Sequence, residues 1–197
     1  MAEQAFRLGT LESVLKTRLS AKLPELREAF PVDVKIGHSK DLAEDVEAGK
    51  FDAVFAIGAP EEIPGVKKAK AFAEDVMVIY PNGHAAVKAP ADLKDLPLAA
   101  LAAGCSYRKR AIDWLASAGE KPLAIHDQPN YAAIMDAVAE GKGFAAVPAS
   151  VLSRSPRKAE IEARGLEGEE GKVWVEFLWR EDAPAEAVER IRKVLGV

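Results

Sequence analysis

One cysteine, three histidines and no long apolar run set the first limits on this 197-residue chain. Cys105 alone excludes an internal disulfide and makes a reducing, cytoplasmic compartment the expected setting. No apolar stretch approaches the roughly 20 residues needed to span a bilayer, so no membrane partner is expected. Positive charge is not in excess. The 27 Lys and Arg stand against 31 Asp and Glu, a formal net charge of -4, and the chain by itself lacks the cationic surplus that holds nucleic acid. Met1-Ala2-Glu3-Gln4 leads into an amphipathic pattern, not the unbroken apolar segment of a signal peptide. No phosphate-binding P-loop, GxGxxG fingerprint, metal-ligand spacing, internal repeat or low-complexity segment is present, so neither metal nor cofactor is expected.

What is there is an alternation of strands and helices. With 49% hydrophobic and 29% charged residues the chain can bury one core or two small lobes without a metal or disulfide staple. Residues 5–9 read as a strand, and Leu11, Val14, Leu15, Leu19, Leu23, Leu26 and Phe30 fall at helical spacing, with Pro24 bending or restarting that helix. Val32, Val34 and Ile36 alternate as a strand, residues 39–48 form a helix that Gly49 stops, and residues 51–57 form the third strand of a βαβαβ unit. A further strand is expected at 75–80. Pro81-Asn82-Gly83-His84 then reads as a crossing into a second unit: strand 96–101, helix 106–117, strand 122–126, helix 130–140 and strand 144–147. Residues 153–171 read as a charged, Gly-rich connection, followed by a strand at 173–179 and a helix at 184–195. The expected division is 1–80 plus 172–197 for lobe I and 81–171 for lobe II.

Four strand-to-helix junctions point to a ligand site: Thr10-Leu11-Glu12-Ser13, His38-Ser39, Cys105-Ser106-Tyr107 and Gln128-Pro129-Asn130. Each offers unpaired backbone N–H groups and a capping side chain. In parallel α/β sheets such helix starts gather at the carboxyl ends of the strands, where small polar or anionic ligands bind.

The order and spacing of these pieces resemble the effector-binding domain of a LysR-type transcriptional regulator. The resemblance rests on the opening strand and helix through Leu23-Pro24, on Phe30-Pro31, and on the Ala48-Gly49-Lys50-Phe51-Asp52 turn. Gly104-Cys105-Ser106-Tyr107-Arg108, and Ala139-Glu140-Gly141-Lys142-Gly143-Phe144 running to Val147-Pro148, complete it. It implies an α/β fold of two Rossmann-like lobes, the type 2 periplasmic-binding-protein fold with two interlobe crossings. It also implies a cytoplasmic sensor whose cleft binds a small effector, and a homodimer or higher homo-oligomer pairing lobe one against lobe two. DNA would be reached only through an N-terminal winged helix-turn-helix that this sequence does not contain, as expected of a truncated regulator. A stand-alone solute-binding protein of the same fold is the alternative.

Carried over residue by residue, the resemblance implies effector contacts at Thr10 and Ser13, at Ser39 and at Ser106. Leu11, His38 and Tyr107 flank them, and Gln128 and Asn130 reach the same cleft from the other lobe. Glu12 would repel an anion, bind an amino group or point to solvent, the commonest fate of a lone Glu. Catalysis is not expected. Cys105 would sit at a helix N-terminus near Arg108, yet none of His38, His84 and His126 belongs to a nucleophile motif, and a buried inert thiol is the expected state. Trp114, Trp174 and Trp179 read as packing residues.

Overall fold

The computed structural model describes residues 5–197, with the backbone alone at residue 169; the Met1-to-Gln4 opening lies outside the described residues. The chain divides into two compact units. Unit 1 comprises the residues up to Ala73 together with Trp174–Val197, and unit 2 comprises Glu74–Val173.

Unit 1 opens with β1 (Phe6–Thr10), α1 (Glu12–Val14), a π-helical turn over Leu15–Leu19, and α2 (Leu23–Ala29). The helix expected over 11–30, bent or restarted at Pro24, is thus divided into three pieces. Thr17 donates its hydroxyl to the Ser13 carbonyl at 2.7 Å, and Ser20 donates both its hydroxyl and its N–H to the Leu15 carbonyl. Such back-bonding widens the helical ladder ahead of Pro24. Pro24 itself lies in the first turn of α2, where its missing N–H is not needed, and so restarts the helix.

Next come β2 (Val32–Ile36), α3 (Ser39–Glu47) and β3 (Ala53–Ile57). β1 lies between β2 and β3 and is parallel to both, with Phe6 opposite Val32, Thr10 opposite Ile36 and Leu8 opposite Ala53. The expected βαβαβ unit is present. Gly9 lets α3 close onto this sheet, since a Cβ there would stand 2.7 Å from a Leu42 methyl and 2.8 Å from a Val54 methyl. At the opposite end of the strands, Asp52 clamps Arg7: its carboxylate accepts from the Arg7 N–H at 2.7 Å, Nε at 3.2 Å and Nη2 at 2.5 Å. Asp52→Asn should lower unfolding free energy by about 1 to 2 kcal/mol, solvent screening the half-exposed guanidinium, as read by denaturant melts.

β4 (Val66–Pro81) runs far longer than the strand expected at 75–80. Its first half carries Lys67, Lys68 and Lys70 and has no apolar signal, yet it is bonded to β9 (Lys172–Arg180). β9 in turn pairs antiparallel with β3, Ala53 opposite Trp179 and Ile57 opposite Val175. The rings of Phe55 and Phe177 are fully buried with centroids 4.8 Å apart, and half-buried Phe72 and Trp179 stack on them, Phe72 on Phe55 and Trp179 on Phe177. Trp174 departs from the packing role expected of it. It is 44% exposed, with the Lys70 ammonium 4.9 Å above its ring. The unit ends in α7 (Ala185–Leu195), stopped by Gly196 in the left-handed conformation that glycine adopts without strain.

The chain passes from unit 1 to unit 2 inside β4, ahead of the Pro81 turn, and returns inside β9. Unit 2 contains β5 (Leu98–Ala100), α4 (Ser106–Ala116), β6 (Ile125–Asp127), α5 (Tyr131–Ala139), β7 (Ala145–Pro148), α6 (Ala149–Ser153) and β8 (Ile161–Gly165). β5 and β6 are parallel, and Leu98 bridges Phe144 in parallel. Gly143 permits that approach, because a Cβ would fall 2.5 Å from the Pro97 carbonyl oxygen. β7 and β8 both pair antiparallel with β4, Val76 opposite Pro148 and Met77 opposite Gly165. β8 lies within the charged, Gly-rich stretch 153–171, for which no strand is expected from the sequence. Among the described residues only Ile161 and Leu166 are buried there, too sparse an apolar pattern to mark a strand whose partner lies far away in sequence.

Candidate functional site

In unit 1 the parallel strands β1 and β2 end side by side, so α1 and α3 start from one edge of the sheet. The Gly37 N–H donates to the Thr10 carbonyl at 3.0 Å and ties the two junctions together. Thr10 is fully buried and donates its hydroxyl to the Leu11 carbonyl at 3.3 Å. Leu11 occupies the N-cap position of α1 and has no side-chain acceptor to offer; Ser13 lies inside the first turn, 4% exposed. His38, half-buried, is the N-cap of α3 and makes no capping bond. Ser39 is the first helical residue, and its buried Oγ accepts from the Ile57 N–H at 3.1 Å, which leaves its own proton to donate.

In unit 2 the parallel pair β5 and β6 is followed by α4 and α5. Buried Cys105 is the N-cap of α4 without a side-chain cap bond, Ser106 is its half-buried first residue, and Tyr107 is 3% exposed. The Tyr107 hydroxyl is buried and has no hydrogen-bond partner among the described residues. Burial first, then the neighbouring Glu74 and Cys105, push its titration far up, so it remains a neutral donor. Gln128 is half-buried and donates its N–H to the Ala100 carbonyl at 2.7 Å. Asn130 caps α5, Oδ1 accepting from the Ala133 N–H at 2.9 Å.

The structure thus brings Thr10, Leu11, Ser13, His38 and Ser39 together at one sheet edge of unit 1. In unit 2, Ser106, Tyr107, Gln128 and Asn130 follow the carboxyl ends of two paired strands. One expectation is corrected. Of the four junctions only Asn130 supplies a capping side chain; the serines stand one or two residues too far along, and Ser39 is turned toward β3. At the starts of α1, α3 and α4 the side chain of the N-cap residue makes no capping bond, and a helix start favours an anion.

Glu12 does not face solvent as expected. It is 8% exposed and accepts from Lys16 at 2.5 Å, so its negative charge beside Ser13 is offset. Arg108 has a positioning role that sequence reading missed: Nη1 donates to the Leu101 carbonyl at 3.0 Å and to Asp127 Oδ1 at 2.5 Å, joining the first turn of α4 to the ends of β5 and β6. Its only sequence signal is a cation two residues beyond Ser106. Among the described residues no group of three or more His, Cys, Asp or Glu is placed to hold a metal ion, and no helix is long and apolar enough to cross a membrane.

The family model described as LysR substrate binding domain matches residues 2–196. The regulator SoxR of Arthrobacter sp. (strain TE1826) is 25% identical over 181 residues, covering 90% of this chain and 61% of that protein. The chain therefore spans about three fifths of that relative's length. The solved effector-binding domain of a BenM variant superposes with a TM-score of 0.78 at 19% identity, over 98% of this chain and 93% of that one. A full-length OxyR variant from Pseudomonas aeruginosa gives 0.77 at 20% identity, over 97% and 68%. The likeness to these structures bears out the α/β, periplasmic-binding-protein-like fold. With almost its whole length matched, the chain belongs to the LysR substrate-binding-domain family.

Proposed function

We propose that this domain senses a small polar anion at the helix starts that follow the parallel strands of its units. Thr10, Leu11, Ser13, His38 and Ser39 are the contacts offered by unit 1; Ser106, Tyr107, Gln128 and Asn130 are those offered by unit 2. The observation that carries this reading is the set of helix starts at α1, α3 and α4 that lack side-chain caps and hold a serine in the first turn. Each such terminus favours an anion by about 0.3 to 1 kcal/mol when exposed. No residue is assigned a catalytic role.

Signalling requires that the ligand bind one conformation of the domain more tightly than another, so that occupancy shifts the population. The shift would pass through a homodimer or higher homo-oligomer, in the cytoplasm, to a DNA-binding segment of a longer regulator. The solved CbnR, another structural neighbour, is a LysR family regulator seen with its target DNA, with a TM-score of 0.71 at 18% identity, covering 98% of this chain and 69% of that one. β2 is an edge strand of its sheet and leaves Ile36 55% exposed, an edge open to pairing. Sedimentation showing only monomer at micromolar concentration would count against assembly through this domain.

The test is a thermal-shift screen against small carboxylates, amino acids, aromatic acids and inorganic anions. A ligand at 100 times its Kd should stabilise the chain by about 2.7 kcal/mol, or raise Tm by roughly 5 to 10 °C. Ser13→Ala and Ser106→Ala should each weaken binding of that ligand by about tenfold or more, the loss of one bond to a charged acceptor. A hit that both variants retain at full affinity places the ligand elsewhere.

A further inference from the structure

We propose that unit 1 carries a second ligand site, at the amino ends of its strands, for a small carboxylate with an aromatic or aliphatic body. A cavity of about 620 Å³ opens there, lined by the starts of β1 and β3, the residues before β2, and the segment from the end of β9 into α7. β1 is five residues long, so this cavity lies about 15 Å from the Thr10 end of the same strand. The volume falls in the range of small-molecule sites.

Its chemistry is two-sided. One wall is apolar: Phe6 and Phe30 meet edge to face with centroids 5.8 Å apart, beside Pro31 and Pro184. The other wall carries three guanidinium groups in unequal states. Arg7 is clamped by Asp52, and Arg180 is clamped by Asp182 through Nε at 2.7 Å and Nη2 at 2.5 Å. Arg190, on α7, is not clamped. Among the described residues its one partner is Glu25, at a loose 3.4 Å from Nη2, and its side chain is 39% exposed. The terminal guanidinium nitrogens of such an arginine are shaped for contact with a carboxylate. Asp52 and Asp182 offset Arg7 and Arg180, and Glu186 adds one further carboxylate to the lining, so Arg190 is the group left to meet a ligand's single negative charge.

The probe is phenylacetate, followed by amide chemical-shift mapping of the isotope-labelled chain. Acetate carries the charge without the ring, and 2-phenylethanol the ring without the charge. Phenylacetate should shift the Phe30, Gly49, Asp52 and Ala187 amides saturably, with each control at least about tenfold weaker. Arg190→Gln should cost phenylacetate about tenfold at these amides, whereas Glu25→Gln, which frees the guanidinium further, should tighten it about two- to fivefold. The opposite signs separate recognition from a folding defect. No shift at these amides, equal binding of 2-phenylethanol, or unchanged affinity in Arg190→Gln overturns the proposal. Shifts confined to Ser13 and Ser106 would overturn it too, while supporting the site at the carboxyl ends.

Discussion

Phe55→Ala should lower unfolding free energy by about 3 to 5 kcal/mol and Tm by roughly 6 to 20 °C, the largest stability loss expected of any single truncation in unit 1. The ring is fully buried on a strand whose five residues are all buried, and it contacts Phe177 and Phe72 at centroid distances of 4.8 and 6.2 Å. Phe177 lies on β9, so the ring joins two segments far apart in sequence. Loss of the ring removes apolar burial and leaves a cavity that a close-packed sheet cannot collapse to fill. Melts followed by circular dichroism measure the effect. A loss below about 1 kcal/mol would mean that this core is less tightly packed than the ring geometry indicates.

Gly9→Val should act on both stability and binding. A Cβ at this position already stands 2.7 Å from Leu42 and 2.8 Å from Val54, and valine adds two more methyl groups between α3 and the sheet. Overpacking of this kind costs about 1 to 3 kcal/mol. Relief requires α3 to move outward, and α3 begins at Ser39, whose hydroxyl is held by the Ile57 N–H. Anion affinity should therefore fall by about tenfold or more, well beyond what the stability loss alone would produce at temperatures where the variant is folded. Ala in place of Gly9 serves as the milder comparison. If Gly9→Val binds the screened anion as tightly as the parent, the position of α3 does not matter to the site.

The strand-helix alternation was legible because its signals are local. Val32, Val34 and Ile36 alternate, the apolar positions of α3 repeat at helical spacing, and Gly49 stops the turn before β3. The elements that escaped reading depend on partners distant in the chain. Lys67, Lys68 and Lys70 look like a solvated loop, yet their backbone is bonded to β9. β8 is a strand because β4 lies beside it, and Ile161 and Leu166 alone do not announce that. The break within 11–30 comes from two hydroxyls back-bonding to carbonyls, a choice among local geometries that periodicity does not resolve.

The candidate site was legible in residue type and incomplete in mechanism. Hydroxyl and amide residues at helix starts were identifiable, but which of them cap was decided one residue at a time. Asn130 is the true cap, and Ser39 is diverted into a strand N–H. Charge pairing was hidden as well: Lys16 offsets Glu12, and Arg108 ties together three element ends through Leu101 and Asp127. Neither pairing has a spacing that distinguishes it from an exposed charged face.

The central claim of the proposed function is that an anion engages the helix starts that follow the parallel strands. Its most direct test is amide shift mapping of the labelled chain during titration with the strongest anion found by the thermal-shift screen. The account predicts that amides at these helix starts, Ser13 and Ser39 in unit 1 or Ser106 and Asn130 in unit 2, move saturably, and that Ser13→Ala or Ser106→Ala raises the Kd read at the amides of its own unit. Movement confined to amides away from these helix starts, or a Kd that both variants leave unchanged, would contradict it.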